Sequence, residues 1–256
     1  MRVRFLPVAS IIAATVFVAG CSDSDNLLDA IEAELNLKIQ VLHASPDAPR
    51  VDVLVDGDAV LEGVDFKQGS AFIPLSDGTY DIAVNAITPG GDVPVIDLAG
   101  TPLDADTAYT VIALGLADDL LNAGPKPLQE LILANPDVAV GAGNARVQLV
   151  HGSPSAPEVS VFATALGADL KQAVPLDTFE FGENSGQAEV PADSYQIRVT
   201  LPFDPITEEP EVVFDAGEIP LADGADLVIV AVDNTTTGDS PITLVVLDGE
   251  NGAAEI

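Results

Sequence analysis

The sequence predicts an all-β protein built from two tandem β-sandwich domains. Three observations predict it. Short runs alternate apolar and polar residues with period two, are rich in Val, Ile and Thr, and are bounded by Gly, Pro, Asp and Asn. Most of the chain is written twice, some hundred residues apart. Hydrophobic residues make up 48% of the 256 residues, which is ample for packed cores, yet there is no Trp and only one Cys.

Residues 1–20, "MRVRFLPVASIIAATVFVAG", read as a secretory signal peptide. Arg2 and Arg4 form a positive n-region, Val8 to Val18 is a mostly apolar stretch too short for a permanent span, and small residues follow. Cys21 comes next, the one cysteine of the chain. A free exposed thiol is a liability in an oxidising compartment, and no second cysteine can pair with it. Residues 21–37 then form a tether, in which Leu27, Leu28, Ile31 and Leu35 recur at helical spacing and predict a short helix over Asn26 to Asn36.

The first domain is expected over 38–133, a linker over 134–145 and the second domain over 146–256. "KIQVLHASPDAPRVDVLV" from Lys38 matches "RVQLVHGSPSAPEVSVFA" from Arg146, carrying His43 onto His151, Pro46 onto Pro154 and Pro49 onto Pro157. "DFKQGSAFIPLSDGTYDIAV" matches "EFGENSGQAEVPADSYQIRV", aligning Phe66 with Phe181 and Tyr80 with Tyr195. The closing strands "LQELIL" and "TLVVL" also correspond. A repeat this long means two whole domains, not a solenoid of small units. The linker "ANPDVAVGAGNA" is small, Gly- and Pro-containing and nearly free of charge.

Within each copy the alternation is clear. Ile39, Val41 and His43 share one face of a strand, as do Val51, Val53 and Val55, and Tyr80, Ile82 and Val84. The unbroken apolar run at Val228 to Val232 suits a central strand. "VDGDAV" at Val55 to Val60 is a hairpin turn. About seven strands per copy give an immunoglobulin-like sandwich, without the Trp and disulfide of antibody domains.

Lys and Arg total 9 against 41 Asp and Glu, a formal charge of −32. Such a surface repels phosphate and argues against nucleic acid. It suits a solvated protein in salty surroundings, where self-repulsion is screened.

His43 and His151, the only histidines, occupy the same place in both copies. With Ser45 and Asp47 at alternate positions, His43 invites comparison with a catalytic triad. Three side chains on one extended segment stand too far apart for that. Copy two also puts Ser155 where copy one has Asp47. Both histidines read instead as structural, each ending a core face and bonding the Ser-Pro-x-Ala-Pro turn that follows. Tyr80 and Tyr195 read as core residues.

For metal, no cysteine ligands are available for a zinc site. Calcium would suit oxygen ligands, and Asp52, Asp56, Asp58, Asp104 and Asp106 are the candidates. They match neither an EF-hand loop nor a glycine-rich nonapeptide. Phosphate loops, dinucleotide fingerprints and the serine-nucleophile elbow do not occur.

Val18-Ala19-Gly20-Cys21 resembles the lipobox of bacterial lipoproteins. The resemblance implies that Cys21 is acylated, palmitate being a typical chain, and becomes the new N-terminus on a membrane. Several chains on one residue give stable attachment where one would be marginal. Ser22 after the cysteine resembles the outer-membrane class. Separately, "VLHASPDAPRVDVLVDG", "DGTYDIAV" and "AYTVIAL" resemble the domain-of-unknown-function family 4397. That resemblance implies a bacterial envelope protein with tandem domains and brings no activity. The expectation is therefore a lipid-anchored envelope lipoprotein, at the outer membrane, acting as a non-catalytic binding or structural module for an envelope protein or glycan. The alternative is a periplasmic or surface protein binding calcium or another ligand through acidic loops.

Overall fold

The computed structural model describes residues 35–236 and 240–256. The expected signal peptide, Cys21 and the helix predicted from Asn26 lie outside them, save that Leu35 and Asn36 enter the first strand without helical structure.

The first copy holds β1 (Leu37–His43), β2 (Val51–Val55), β3 (Asp58–Val64), β4 (Ile73–Leu75), β5 (Gly78–Thr88), β6 (Gly91–Leu103), β7 (Thr107–Leu114) and β8 (Gln129–Pro136). A short helix, α1 (Ala117–Asn122), lies between β7 and β8. The second holds β9 (Asn144–His151), β10 (Val159–Thr164), β11 (Asp177–Phe179), β12 (Asn184–Pro191), β13 (Ser194–Thr200), β14 (Val212–Pro220), β15 (Asp226–Asp233) and β16 (Ile242–Leu247). A further strand, β17 (Ala253–Glu255), follows β16. Each copy thus has eight matching strands rather than about seven. Three-residue β4, which pairs only with Leu37 to Ile39, is too short to announce itself by periodicity. The terminal strands also reach into the expected linker from both sides, leaving 137–143 between β8 and β9.

Each copy is a two-sheet sandwich. The outer sheets run β3-β2-β5-β6 and β11-β10-β13-β14, and the inner sheets run β4-β1-β7-β8 and β12-β9-β15-β16-β17. In both inner sheets the first strand pairs in parallel with the seventh of its copy, with His43 opposite Ala113 and His151 opposite Ala231. The hairpin at Asp56-Gly57 has positive φ at both central residues, 53° and 84°, as a tight two-residue turn with matched twist requires.

Alternating residues fill the interior of each sandwich: Val41, Val53, Val84 and Val111 in the first, Leu149, Val161, Phe179 and Ile229 in the second. A third apolar layer lies between the two inner sheets. There Leu42, Ile112, Leu114 and Leu133 meet Val150, Val230, Val232, Val245 and Leu247. The strand registers make Leu42 equivalent to Val150, Ile112 to Val230 and Leu133 to Leu247. The same patch is thus presented from both sides, as in an isologous dimer joined into one chain. Strands buried on both faces read as continuous apolar runs, which explains the stretch Val228 to Val232.

Equivalent basic residues at the starts of the two copies tie down the connection. Lys38 pairs with Asp137 at 2.6 Å. The buried Arg146 donates to the carbonyls of Val138 and Ala139 and pairs with Glu189 at 2.8 Å and Asp226 at 3.0 Å. The Arg146 guanidinium holds the Glu189 carboxyl below its usual range.

Tyr80 and Tyr195 sit half-buried beside the two cores. Each hydroxyl donates to a carbonyl four residues upstream, Ser76 at 2.9 Å and Pro191 at 3.0 Å. This is the corner that immunoglobulin-like sandwiches use to fix a strand entry.

Candidate functional site

The two histidine turns are the feature shared by both copies, and they have the same geometry. His43 and His151 each end an inner strand at 1% exposure. The Nε2 of His43 lies 3.1 Å from the Pro49 carbonyl, and that of His151 lies 2.9 Å from the Pro157 carbonyl. A carbonyl only accepts, so Nε2 carries the proton and donates. The backbone N–H of Ser45 donates to Nδ1 of His43 at 3.3 Å, and that of Ser153 to Nδ1 of His151 at 3.4 Å. Each imidazole is therefore neutral and bridges the two ends of its own Ser-Pro-x-Ala-Pro turn. Burial pushes both histidines below the ordinary value, and the proline carbonyls oppose this.

The serine hydroxyls face away from the imidazoles. Ser45 Oγ donates to Asp47 at 3.2 Å, not to His43. Asp47 in turn accepts from the amides of Ala117 and Asp118 at 2.8 Å and 3.0 Å, holding the start of α1 against the turn. His43, Ser45 and Asp47 are adjacent, but no bond links hydroxyl to imidazole, and Ser45 is fully buried.

Copy two meets the same need with a different acid. Ser155 replaces Asp47, and Asp233, at the end of β15, accepts from the hydroxyls of Ser153 and Ser155 and, at 3.3 Å, from the amide of Ser155. The β7–β15 register puts Gly115 at the Asp233 position of copy one. A side chain there would meet the Pro127 carbonyl at 2.2 Å, and the backbone φ of +99° favours glycine. Copy one therefore brings its acid from the turn, and copy two from the strand end. Sequence reasoning missed Asp233. The signal was there: a hydroxyl-rich turn that loses its acid in one copy needs another.

The calcium candidates separate into local structural roles. Asp52 accepts from the Gly63 amide at 2.7 Å across the β2–β3 pair. Asp56 accepts from the Asp81 amide at 2.9 Å. Asp58 closes the hairpin opposite Val55. Asp104 and Asp106 lie in the β6–β7 turn, where the Asp104 amide donates to the Tyr109 hydroxyl at 2.8 Å. Among the described residues no group of three or more His, Cys, Asp or Glu could hold a metal ion. The apolar void in the second sandwich, beside His151, Leu149 and Phe179, is ≈ 20 Å³, room for about one water.

No curated protein matches the chain. Residues 37–162 match the family model described as domain of unknown function (DUF4397), a span that takes in the first sandwich, its histidine turn and the opening strands of the second. Over those residues the chain is similar to the DUF4397 family, as its motifs implied.

Proposed function

We propose that the protein is a lipid-anchored bacterial envelope lipoprotein, attached at the outer membrane through Cys21, whose paired sandwiches act as a rigid non-catalytic binding or structural module. The anchor rests on the order of features at the N-terminus: Arg2 and Arg4, an apolar stretch, Val18-Ala19-Gly20-Cys21 and a hydrophilic sequel. The module rests on one structural observation, the apolar layer in which Leu42, Ile112 and Leu133 meet Val150, Val230 and Leu247. Burying the inner sheets against each other removes the freedom that tandem domains ordinarily keep. The polar groups that both copies share are spent on holding turns, which supports a scaffold rather than a reaction site. The surrounding acid keeps the body soluble and turns away nucleic acid.

The test is metabolic labelling with a palmitate analogue, followed by membrane fractionation, of the wild-type chain and Cys21→Ser. The expected result is a labelled, membrane-bound wild type and an unlabelled, soluble variant. A Cys21→Ser chain that stays labelled or membrane-bound overturns the anchor.

A further inference from the structure

The second inner sheet carries a strand that the first lacks. β17 adds antiparallel to β16, with Ala253 opposite Leu247 and Glu255 opposite Val245. The equivalent strand of copy one, β8, pairs with β7 alone among the described residues. The registers make Leu131, Ile132 and Leu133 the counterparts of Val245, Val246 and Leu247. An edge strand of consecutive Leu, Ile and Leu, with no Lys among them and its Pro only at the end, is a template for pairing.

The β17 slot is walled by the other copy. Lys67 reaches Glu255 at 2.6 Å, and Gly69 lies against β17, so that a side chain on it would meet Ala253 Cβ at 3.1 Å. Backbone bonds fix the counterpart of that wall. Lys67 N donates to the His43 carbonyl as Gly182 N donates to that of His151, and the His43 and His151 amides donate to the carbonyls of Gln68 and Glu183. Gly182 and Glu183 therefore stand beside β8 as Lys67 and Gln68 stand beside β17. A side chain at Gly182 would come within 3.9 Å of Gln129 on β8. Asn135 of β8 donates to Gln148, which donates to Asn184. On copy two, between β11 and β12, Gly182, Glu183 and Asn184 also line an open depression of ≈ 480 Å³ with Asp177, Thr178 and Phe179; no β8 residue lines it.

We propose that the outer edge of β8, unpaired among the described residues, is a docking site for an extended, basic segment of a partner protein, which adds there as β17 adds to β16. The charge selects the partner. Where the filled slot offers Lys67 to Glu255, the open slot offers Glu183 with exposed Asp177, Glu180 and Glu130. The nearby Lys126 has its Nζ engaged by the carbonyls of Pro154 and Ala156 at 2.7 Å and 3.1 Å. A second copy of this chain, at −32, is disfavoured. Asn184 stands where copy two's slot is lined by Gly69, so the added strand approaches less closely than β17 does. Main-chain bonds to the edge supply affinity, and alternate side chains supply the choice of partner.

The probe is a seven-residue peptide, Lys-Val-Lys-Ala-Lys-Val-Lys, with blocked ends, added to the full chain in detergent. Binding is read by fluorescence anisotropy, and the site by amide hydrogen exchange. The expected result is saturable binding that weakens with salt and slows exchange of 129–135 above other segments. Replacing every Lys by Glu in the peptide abolishes it. Glu183→Gln keeps the bond to the Glu180 amide, as Gln68 keeps its bond to the Asp65 amide in copy one. Combined with Glu130→Lys it weakens binding about tenfold, with an unchanged melt as the folding control. Equal binding of the acidic peptide, protection elsewhere than β8, or no saturable binding overturns the proposal.

Discussion

Gly152 faces Ala44 across the layer between the two sandwiches: a methyl group on Gly152 would stand 3.9 Å from Ala44 Cβ and 2.9 Å from Val230 Cγ1. These are equivalent positions of the two copies, and the pair sits on the local two-fold relation. The crowding comes from copy two itself: the same methyl would also lie 3.1 Å from the Ala231 carbonyl oxygen, whereas its distance to Ala44 is an ordinary contact. The departure of copy two from the Ala-Ser-Pro motif is therefore a packing requirement.

Gly152→Ala is expected to destabilise the chain by about 1–3 kcal/mol, the usual range for overpacking a filled interior. Urea unfolding measures it. Pairing it with Ala44→Gly should recover only part of the loss, because the closer neighbour is Val230.

The exchanged acids make a reciprocal prediction. Asp233→Ala leaves the buried Ser153 hydroxyl without its acceptor and should cost about 1–3 kcal/mol. Adding Ser155→Asp rebuilds the arrangement that Ser45 and Asp47 show in copy one and should restore much of it. The same double change with Ser155→Asn in place of Asp serves as control, restoring less.

The histidines give the stability a pH dependence of definite sign. Both fold with values pushed below the ordinary one near 6.5. Below pH ~6.5 the unfolded chain takes up protons that the folded chain refuses, until the folded values are reached. Stability is therefore fully present above ~6.5 and falls as the pH drops, by at most ~1.4 kcal/mol per pH unit for each histidine. Denaturant titrations between pH 7.5 and 5 check this. Replacing His43 and His151 by Gln should remove that slope and lower stability at pH 7.5.

Much of this was legible in the chain. The matched histidines and their proline turns gave a structural role, and the Nε2 contacts to Pro49 and Pro157 have that form. The run Val228 to Val232 suits a central strand, and β15 lies inside its sheet between β9 and β16. What covers its second face was not legible, because period two says which residues share a face and nothing about the neighbour. Leu42 and Val150 looked like ordinary alternation partners of core residues, yet they are the layer that joins the copies. Asp233 escaped for a related reason: it approaches Ser153 from another strand. The tyrosines read as core residues, and their hydroxyl bonds to Ser76 and Pro191 depend on backbone placement that spacing alone does not reveal.

The duplicated inner face fuses the two sandwiches into one body. Differential scanning calorimetry of the Cys21→Ser chain tests it most directly. One transition is expected, with calorimetric and van't Hoff enthalpies in agreement, shifted as a whole by Gly152→Ala. Two separable transitions, only one of which moves with Gly152→Ala, would contradict it.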